Sequence, residues 1–99
     1  MLSINKTIEN NRAILALEGR LDTVTAPELE KVITGLPSEI ETLVLNFAAL
    51  EYISSAGLRV LLSAQKCMAQ KGGMRVVNVS PAITEIFDVT GFSSILTIE

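Results

Sequence analysis

Two adjacent serines, Ser54 and Ser55, have the residue type and setting for hydroxyl chemistry. Ala56 and Gly57 follow them, and an apolar run begins at Leu58. A serine in this position can cap a helix, act as a nucleophile or accept a phosphoryl group, and capping is the commonest of these roles where a helix begins. Glycine in the first helical turn costs roughly 0.5–1 kcal/mol relative to alanine. We therefore expect Ala56 and Gly57 to leave a bare surface beside Ser55, where a kinase can reach its hydroxyl.

A catalytic serine is not supported by the surrounding sequence. The chain contains no histidine, which excludes the Ser-His-Asp and Cys-His arrangements that activate a nucleophile. The second glycine that a nucleophile elbow requires would fall on Ile53, and the S-x-x-K pattern from Ser63 to Lys66 lies inside a predicted helix. One cysteine, Cys67, and scattered carboxylates are poor metal ligands. The sequence predicts a protein that is not an enzyme and that uses no cofactor or metal.

The composition predicts a single cytoplasmic domain over residues 1–99. The chain is 48% hydrophobic and 19% charged, which is too apolar for a disordered chain. No apolar run approaches the ~18 residues that a membrane span needs, and no secretory signal is visible at the N-terminus. The net charge is −3 and the basic residues are scattered, so nucleic-acid binding is not expected. The short apolar runs mean that membrane insertion is not expected either.

Hydrophobic patterning and turn residues predict the element order β-β-α-β-α-β-α-β. The predicted strands are residues 2–8, 12–17, 42–46, 74–79 and 95–98. The predicted helices follow caps at Thr25, at the serine pair and at Ser80, and they end at Gly35, Gly72 and Gly91. Thr25 precedes Glu28 by three residues, which is the spacing of a capping box. Gly19 is expected to end the second strand.

This order predicts an α/β fold with a mostly parallel sheet and right-handed crossovers. A short Asn-rich turn between the first two strands predicts that the N-terminal strand pairs antiparallel at one edge. In consecutive β-α units the strand-to-helix loops lie at the same edge of the sheet. We therefore expect the loops at 22–25, 47–55 and 80–81 to cluster at the carboxyl edge, where α/β proteins bind ligands and partners.

The sequence resembles the STAS domain family, in particular the single-domain anti-sigma factor antagonists of bacteria. The resemblance rests on an ordered set of motifs that spans nearly the whole chain. These are E-G-R-L-D at 18–22, A-P-E-L at 26–29, L-V-L-N-F at 43–47, Y-I-S-S-A-G-L-R-V-L-L at 52–62 and S-P-A-I-T-E-I-F at 80–87. It implies a right-handed β-α superhelix of about five strands in roughly sequential order, with helices mainly on one face of the sheet.

The resemblance also implies a function by partner switching. Such an antagonist binds an anti-sigma factor that is itself a serine kinase. Phosphorylation of one serine ends the binding, and a PP2C-type phosphatase restores it. The family's phosphorylated position falls on Ser55, with Ser54 as second choice. Its preceding aspartate falls on Ser54, its third, hydroxyl-bearing position falls on Ala56, and its partner-contacting aspartate corresponds to Asp22. The implied partner-binding residues are Asp22, Thr23, Ser54, Ser55, Ala56, Gly57, Leu58 and Arg59.

Two other functions remain open from the sequence. The chain could be a STAS subunit of a larger assembly, of the lipid-transport or stressosome-like kind, without a phosphorylation switch. It could also bind a nucleotide or lipid at the same loop edge, although no Gly-rich phosphate loop is present. Asp22 has a simpler alternative role as well, because a carboxylate before a helix can form a local turn that opens the helix.

Overall fold

The computed structural model describes residues 1–99 and contains one five-stranded sheet, in which the strands lie in the order of the sequence. The first two strands pair antiparallel, and the remaining neighbours are parallel. The strands are β1 (Leu2–Glu9), β2 (Arg12–Leu21), β3 (Thr42–Ile53), β4 (Gly73–Val77) and β5 (Thr97–Ile98). The helices are α1 (Ala26–Thr34), α2 (Ser55–Ala69) and α3 (Pro81–Thr90), with a 3-10 turn at Phe92–Ser94. The fold expected from the sequence is confirmed.

The hairpin between β1 and β2 turns at Asn10, whose φ is 57°. Asparagine tolerates this left-handed conformation better than most residues do. The turn pairs Glu9 with Arg12, and the two side chains form an exposed ion pair at 3.1 Å. The antiparallel edge strand is therefore set by a local turn in the sequence.

The core lies on one face of the sheet, against the helices. Alternate residues of β2, which are Ala13, Leu15 and Leu17, are buried, whereas Ile14 and Ala16 between them are only partly buried. Side chains alternate between the two faces of a strand, so this pattern marks one covered face and one open face. Twenty-three buried residues form a single core cluster, which confirms that the helices cover mainly one side.

The structure corrects two predicted strand ends near the site. β2 continues past Gly19 to Leu21, and β3 runs to Ile53, about half its length beyond the expected end at Asn46. Two irregularities in the β2–β3 register keep these ends paired. Gly19 has a φ of 108°, a conformation that favours glycine, so it accommodates an irregularity in the strand and does not terminate it.

Later elements differ less from the predictions. β4 ends at Val77, two residues early, because Asn78 turns the backbone into a left-handed conformation with φ 58°. The residues directly after Gly91 form the 3-10 turn, so β5 begins at Thr97 and not at residue 95 as predicted. None of the helices combines the length and apolarity that crossing a membrane requires.

Candidate functional site

The candidate site lies where β2 and β3 end side by side. Leu21 pairs with Ile53 in the parallel register, and the backbone N–H of Ser54 donates to the Leu21 carbonyl at 2.9 Å. Asp22 follows one strand end and Ser55 begins α2 after the other. The structure thus brings the loop at 22–25 to the serine pair, as the sequence predicted.

The third loop of the expected cluster lies elsewhere. β4 pairs with β3 only as far as Asn46 and Val77, so β3 extends seven residues beyond the last rung that the two strands share. β2 covers the same stretch in five steps, from Ala16 to Leu21, so at about 3.3 Å per residue β3 ends roughly 17 Å beyond that rung. The prediction that the loop at 80–81 joins the site is wrong, because β2 and β3 extend past the end of β4. Ser80 caps α3 by accepting the Ile83 N–H at 3.3 Å.

The two serines have different surroundings. Ser54 is the N-cap of α2, and its Oγ accepts the backbone N–H of Gly57 at 3.4 Å. Its own carbonyl accepts the N–H of Leu58 at 2.9 Å. Ser55 is the first helical residue and is exposed, and its hydroxyl makes no hydrogen bond within the chain. Capping therefore accounts for Ser54 and leaves the hydroxyl of Ser55 accessible.

Gly57 serves the core and does not form an open surface. It is buried in the first turn of α2, as is Leu58 after it. A Cβ added at Gly57 would lie 2.8 Å from Cγ of Leu21 and 2.9 Å from Cγ1 of Ile53, closer than van der Waals contact allows. The expected bare surface beside Ser55 is therefore wrong at Gly57, while Ala56 is half-buried. The glycine lets α2 start close to the ends of β2 and β3.

Asp22 organises the loop that precedes α1. Its Oδ1 accepts the backbone N–H groups of Val24 and Thr25, both at 3.0 Å. The hydrogen bond from the Thr25 N–H is the main cause that lowers the pKa of Asp22 below its ordinary value. Oδ2 makes no hydrogen bond within the chain. The local-turn role of Asp22 is thus present in the structure, and one carboxylate oxygen is left without a hydrogen bond within the chain.

The capping box predicted at Thr25 does not form. The Thr25 side chain makes no capping bond to α1. Its hydroxyl instead accepts the N–H of Asp22 at 2.8 Å and lies 2.8 Å from the carbonyl of Arg20. Thr25 is buried. Its hydroxyl links the end of β2 to the start of α1 and so holds Asp22 in place at the site.

Thr23, which lies just before α1, and Arg59 of α2 line the same cavity between the two helices. Both are exposed, and the cavity has a volume of about 400 Å³ with Ala56 in its wall. Arg59 has no carboxylate within ion-pair distance. It follows Ser55 by four residues on α2, which places the two side chains on the same face of the helix. A free guanidinium is therefore one helical turn from the exposed hydroxyl.

Three further residues near the serine pair were missed at the level of the sequence. Val24 is 79% exposed, which is unusual for an apolar residue beside a polar loop. On the ends of β2 and β3, the guanidinium of Arg20 lies 4.3 Å from the ring centroid of Tyr52, within cation–π distance. The pairing of Arg20 with Tyr52 depends on the irregularity in the β2–β3 register after Gly19, and the sequence gives no signal that predicts it.

Curated relatives resemble this chain over most of its length. One is a protein of Bordetella bronchiseptica with the provisional name anti-sigma factor antagonist BtrV, 34% identical over 87 residues, which are 86% of this chain and 75% of the relative. Another is the anti-sigma-B factor antagonist of Staphylococcus epidermidis, 31% identical over 80 residues, or 79% of this chain and 74% of the relative.

Solved structures share the fold. An anti-sigma factor antagonist from Mycobacterium paratuberculosis matches with a TM-score of 0.88 at 24% identity, over 99% of this chain and 85% of the other. The phosphorylated form of the Bacillus cell fate determinant SpoIIAA matches with a TM-score of 0.76 at 18% identity, over 98% and 91%. The family model described as STAS domain matches residues 3–99. The chain therefore belongs to the STAS domain family.

Proposed function

We propose that the protein is an anti-sigma factor antagonist that acts by partner switching in the cytoplasm. In its unphosphorylated form it binds an anti-sigma factor, and that partner is also the kinase that phosphorylates Ser55. The phosphorylated form is released, and a PP2C-type phosphatase returns it to the binding form. The protein acts by binding and not as an enzyme. The names of the relatives support this function, and the observation that carries the proposal for the site is the free, exposed hydroxyl of Ser55 beside Asp22.

Ser55 is a better phosphate acceptor than Ser54 for a structural reason. The Ser54 hydroxyl already accepts the Gly57 N–H as the cap of α2, and losing a cap costs about 1 kcal/mol. The Ser55 hydroxyl makes no capping bond, and the residue is exposed. A kinase that uses Ser55 does not have to break the start of the helix.

Phosphate at Ser55 changes the interface and leaves the fold intact. Phosphorylation adds about −1.5 to −2 charges, and negative charge near a helix N-terminus is locally stabilising by about 0.3–1 kcal/mol at an exposed site. In a partner interface the same charge must lose its water, and an unmatched charge there costs several kcal/mol. Each 1.4 kcal/mol is tenfold in affinity, so one phosphate suffices to move binding from micromolar toward millimolar.

The partner contacts that we propose are the exposed groups around the serine. Asp22 offers its free carboxylate oxygen, and Thr23 and Arg59 offer exposed polar side chains. Val24 adds an apolar contact next to them. Gly57 and Leu58 act from inside the domain, since both are buried and set the position of the helix start.

Incubation with the cognate anti-sigma factor and ATP, followed by intact-mass analysis, tests the site. We expect the wild type to gain one phosphoryl group, Ser54→Ala to gain the same group, and Ser55→Ala to gain none. A phosphate that maps to another residue in the wild type would refute the assignment to Ser55.

A pull-down on the same samples tests the switch. The unphosphorylated wild type and Ser55→Ala should retain the partner, and the phosphorylated wild type should not. Stable co-purification with a larger assembly, together with no change in mass on addition of ATP, would instead support the role of a STAS subunit without a switch.

A further inference from the structure

A second opening lies between α1 and α2, away from the serine pair. Helix lengths explain it: nine residues in α1 span about 14 Å and fifteen residues in α2 span about 22 Å. Beyond the end of α1, the segment 35–41 lies across the cavity from α2. The resulting space, which we call the α1–α2 cavity, has a volume of about 430 Å³, within the range of small-molecule sites.

The walls of the α1–α2 cavity are mostly apolar. They are formed by side chains from α1, from the segment after it and from α2, chiefly Ile33, Leu36, Ile40, Val60, Ala64 and Met68. Ile33 and Leu36 are only partly buried although they pack against the core. A ligand in this space would remove these apolar surfaces from water, which is favourable in proportion to the area covered.

The charges at the two ends of the cavity differ. Lys71 lies among the lining residues after the end of α2, and its ammonium donates to the Ile40 carbonyl at 3.3 Å. No carboxylate lies within ion-pair distance of it, and an ammonium has three donors. Glu30 lies at the other end, where the cavity meets the smaller one that contains Arg59. The cavity therefore offers one positive end, an apolar middle and one negative end.

We propose that the α1–α2 cavity binds a medium-chain monocarboxylate, with its carboxylate on Lys71 and its alkyl chain along the apolar wall. The charge of Lys71 selects an anionic head group, and the volume accommodates a short alkyl chain. Glu30 disfavours a second negative group at the far end of the ligand. The proposal does not rest on the function assigned to Ser55, because neither Ser55 nor Asp22 lines the α1–α2 cavity.

Octanoate is the probe that tests the cavity. In a nuclear magnetic resonance titration of the ¹⁵N-labelled chain, we expect saturable shifts confined to α1, the segment 35–41 and residues 60–71. Affinity should increase about fourfold per added methylene from butyrate to octanoate. Octylamine and the dicarboxylate suberate should bind more weakly than octanoate. Absent shifts, shifts elsewhere in the chain, or equal binding of octanoate and octylamine would overturn the proposal.

Matched variants locate the head group and the chain. Lys71→Gln should weaken octanoate binding about tenfold, the order of one charge-assisted hydrogen bond, and should leave octanol binding unchanged. Lys66→Gln removes an equal charge from α2 outside the cavity and should change neither. Cys67 is the only cysteine, is exposed and lines the cavity, so octanoate should slow its alkylation by iodoacetamide. Equal effects of the two lysine variants, or unprotected Cys67 at saturating octanoate, would contradict the assignment.

Discussion

Gly57→Ala gives a direct test of why a glycine lies beside the serine pair. The added methyl group would lie 2.8 Å from Cγ and 3.1 Å from Cδ2 of Leu21, and 2.9 Å from Cγ1 of Ile53. Both neighbours are at most 2% exposed, so neither can turn away into solvent. Over-packing of this kind costs about 1–3 kcal/mol. The higher helix propensity of alanine offsets roughly 0.5–1 kcal/mol of this cost.

The net loss expected for Gly57→Ala is about 1–2 kcal/mol in the free energy of unfolding, from over-packing minus the gain in propensity. For a domain of this size, 1 kcal/mol corresponds to a change of about 4–8 °C in Tm. We therefore expect Tm to fall by roughly 5–15 °C, measured by far-UV circular dichroism and by urea unfolding.

A control at Ser63 separates crowding from propensity. Ser63 is exposed on the same helix, so Ser63→Ala should be about 1 kcal/mol more stable than Ser63→Gly. At position 57 the order should reverse, with glycine more stable than alanine. An unchanged or raised Tm for Gly57→Ala would refute the packing argument. A loss of partner affinity much greater than the loss of folded protein would show that the partner itself needs the glycine.

Three further outcomes follow from the site. Ser55→Asp should reduce partner affinity at least about tenfold with a Tm change of at most a few degrees, measured by calorimetric titration and thermal unfolding; a large fall in Tm would contradict the separation of switch from fold. Ser54→Ala should lower the free energy of unfolding by about 1 kcal/mol, measured by urea unfolding, because the cap of α2 is lost, and it should still allow phosphorylation of Ser55. Unchanged stability would show that the 3.4 Å capping bond contributes nothing. The pKa of Asp22 is lowered from 3.8 in the folded state, so the stability that the carboxylate contributes is present above that value and is lost as pH falls through the lower folded pKa. Urea unfolding between neutral and acidic pH should therefore show a smaller decrease in the free energy of unfolding for Asp22→Asn than for the wild type, and identical pH profiles would contradict this.

The order of strands and helices along the chain could be predicted because its signals are local, whereas the sequential order of the strands within the sheet is implied by the family resemblance. Asn10 marks the hairpin turn, Ser80 and Pro81 mark the start of α3, and Gly91 ends it in a left-handed conformation. The apolar run at 42–46 is typical of a buried strand. Each of these features depends on neighbouring residues alone, so one sequence is enough to place it.

The second half of β3 could not be predicted in the same way. Ala48, Ala49 and Glu51 are exposed and have low strand propensity. Ala49 pairs with Glu18 of β2, whereas Ala48 and Glu51 lie at the two register irregularities, so pairing of their neighbours with β2 keeps this half of β3 in the strand. Because this long-range pairing extends β3 past the end of β4, the serine pair after β3 lies away from Ser80. The pairing also determines that Gly57 faces Leu21, a contact between residues 36 positions apart in the chain.

The central claim is that a charge gained at Ser55 controls docking of the partner. Its most direct measurement is the affinity of the cognate anti-sigma factor for two purified forms of this chain, unphosphorylated and phosphorylated on Ser55, at the same ionic strength. We predict that phosphorylation weakens binding at least tenfold, or about 1.4 kcal/mol, while both forms unfold at nearly the same temperature. Equal affinities for the two forms would contradict the account.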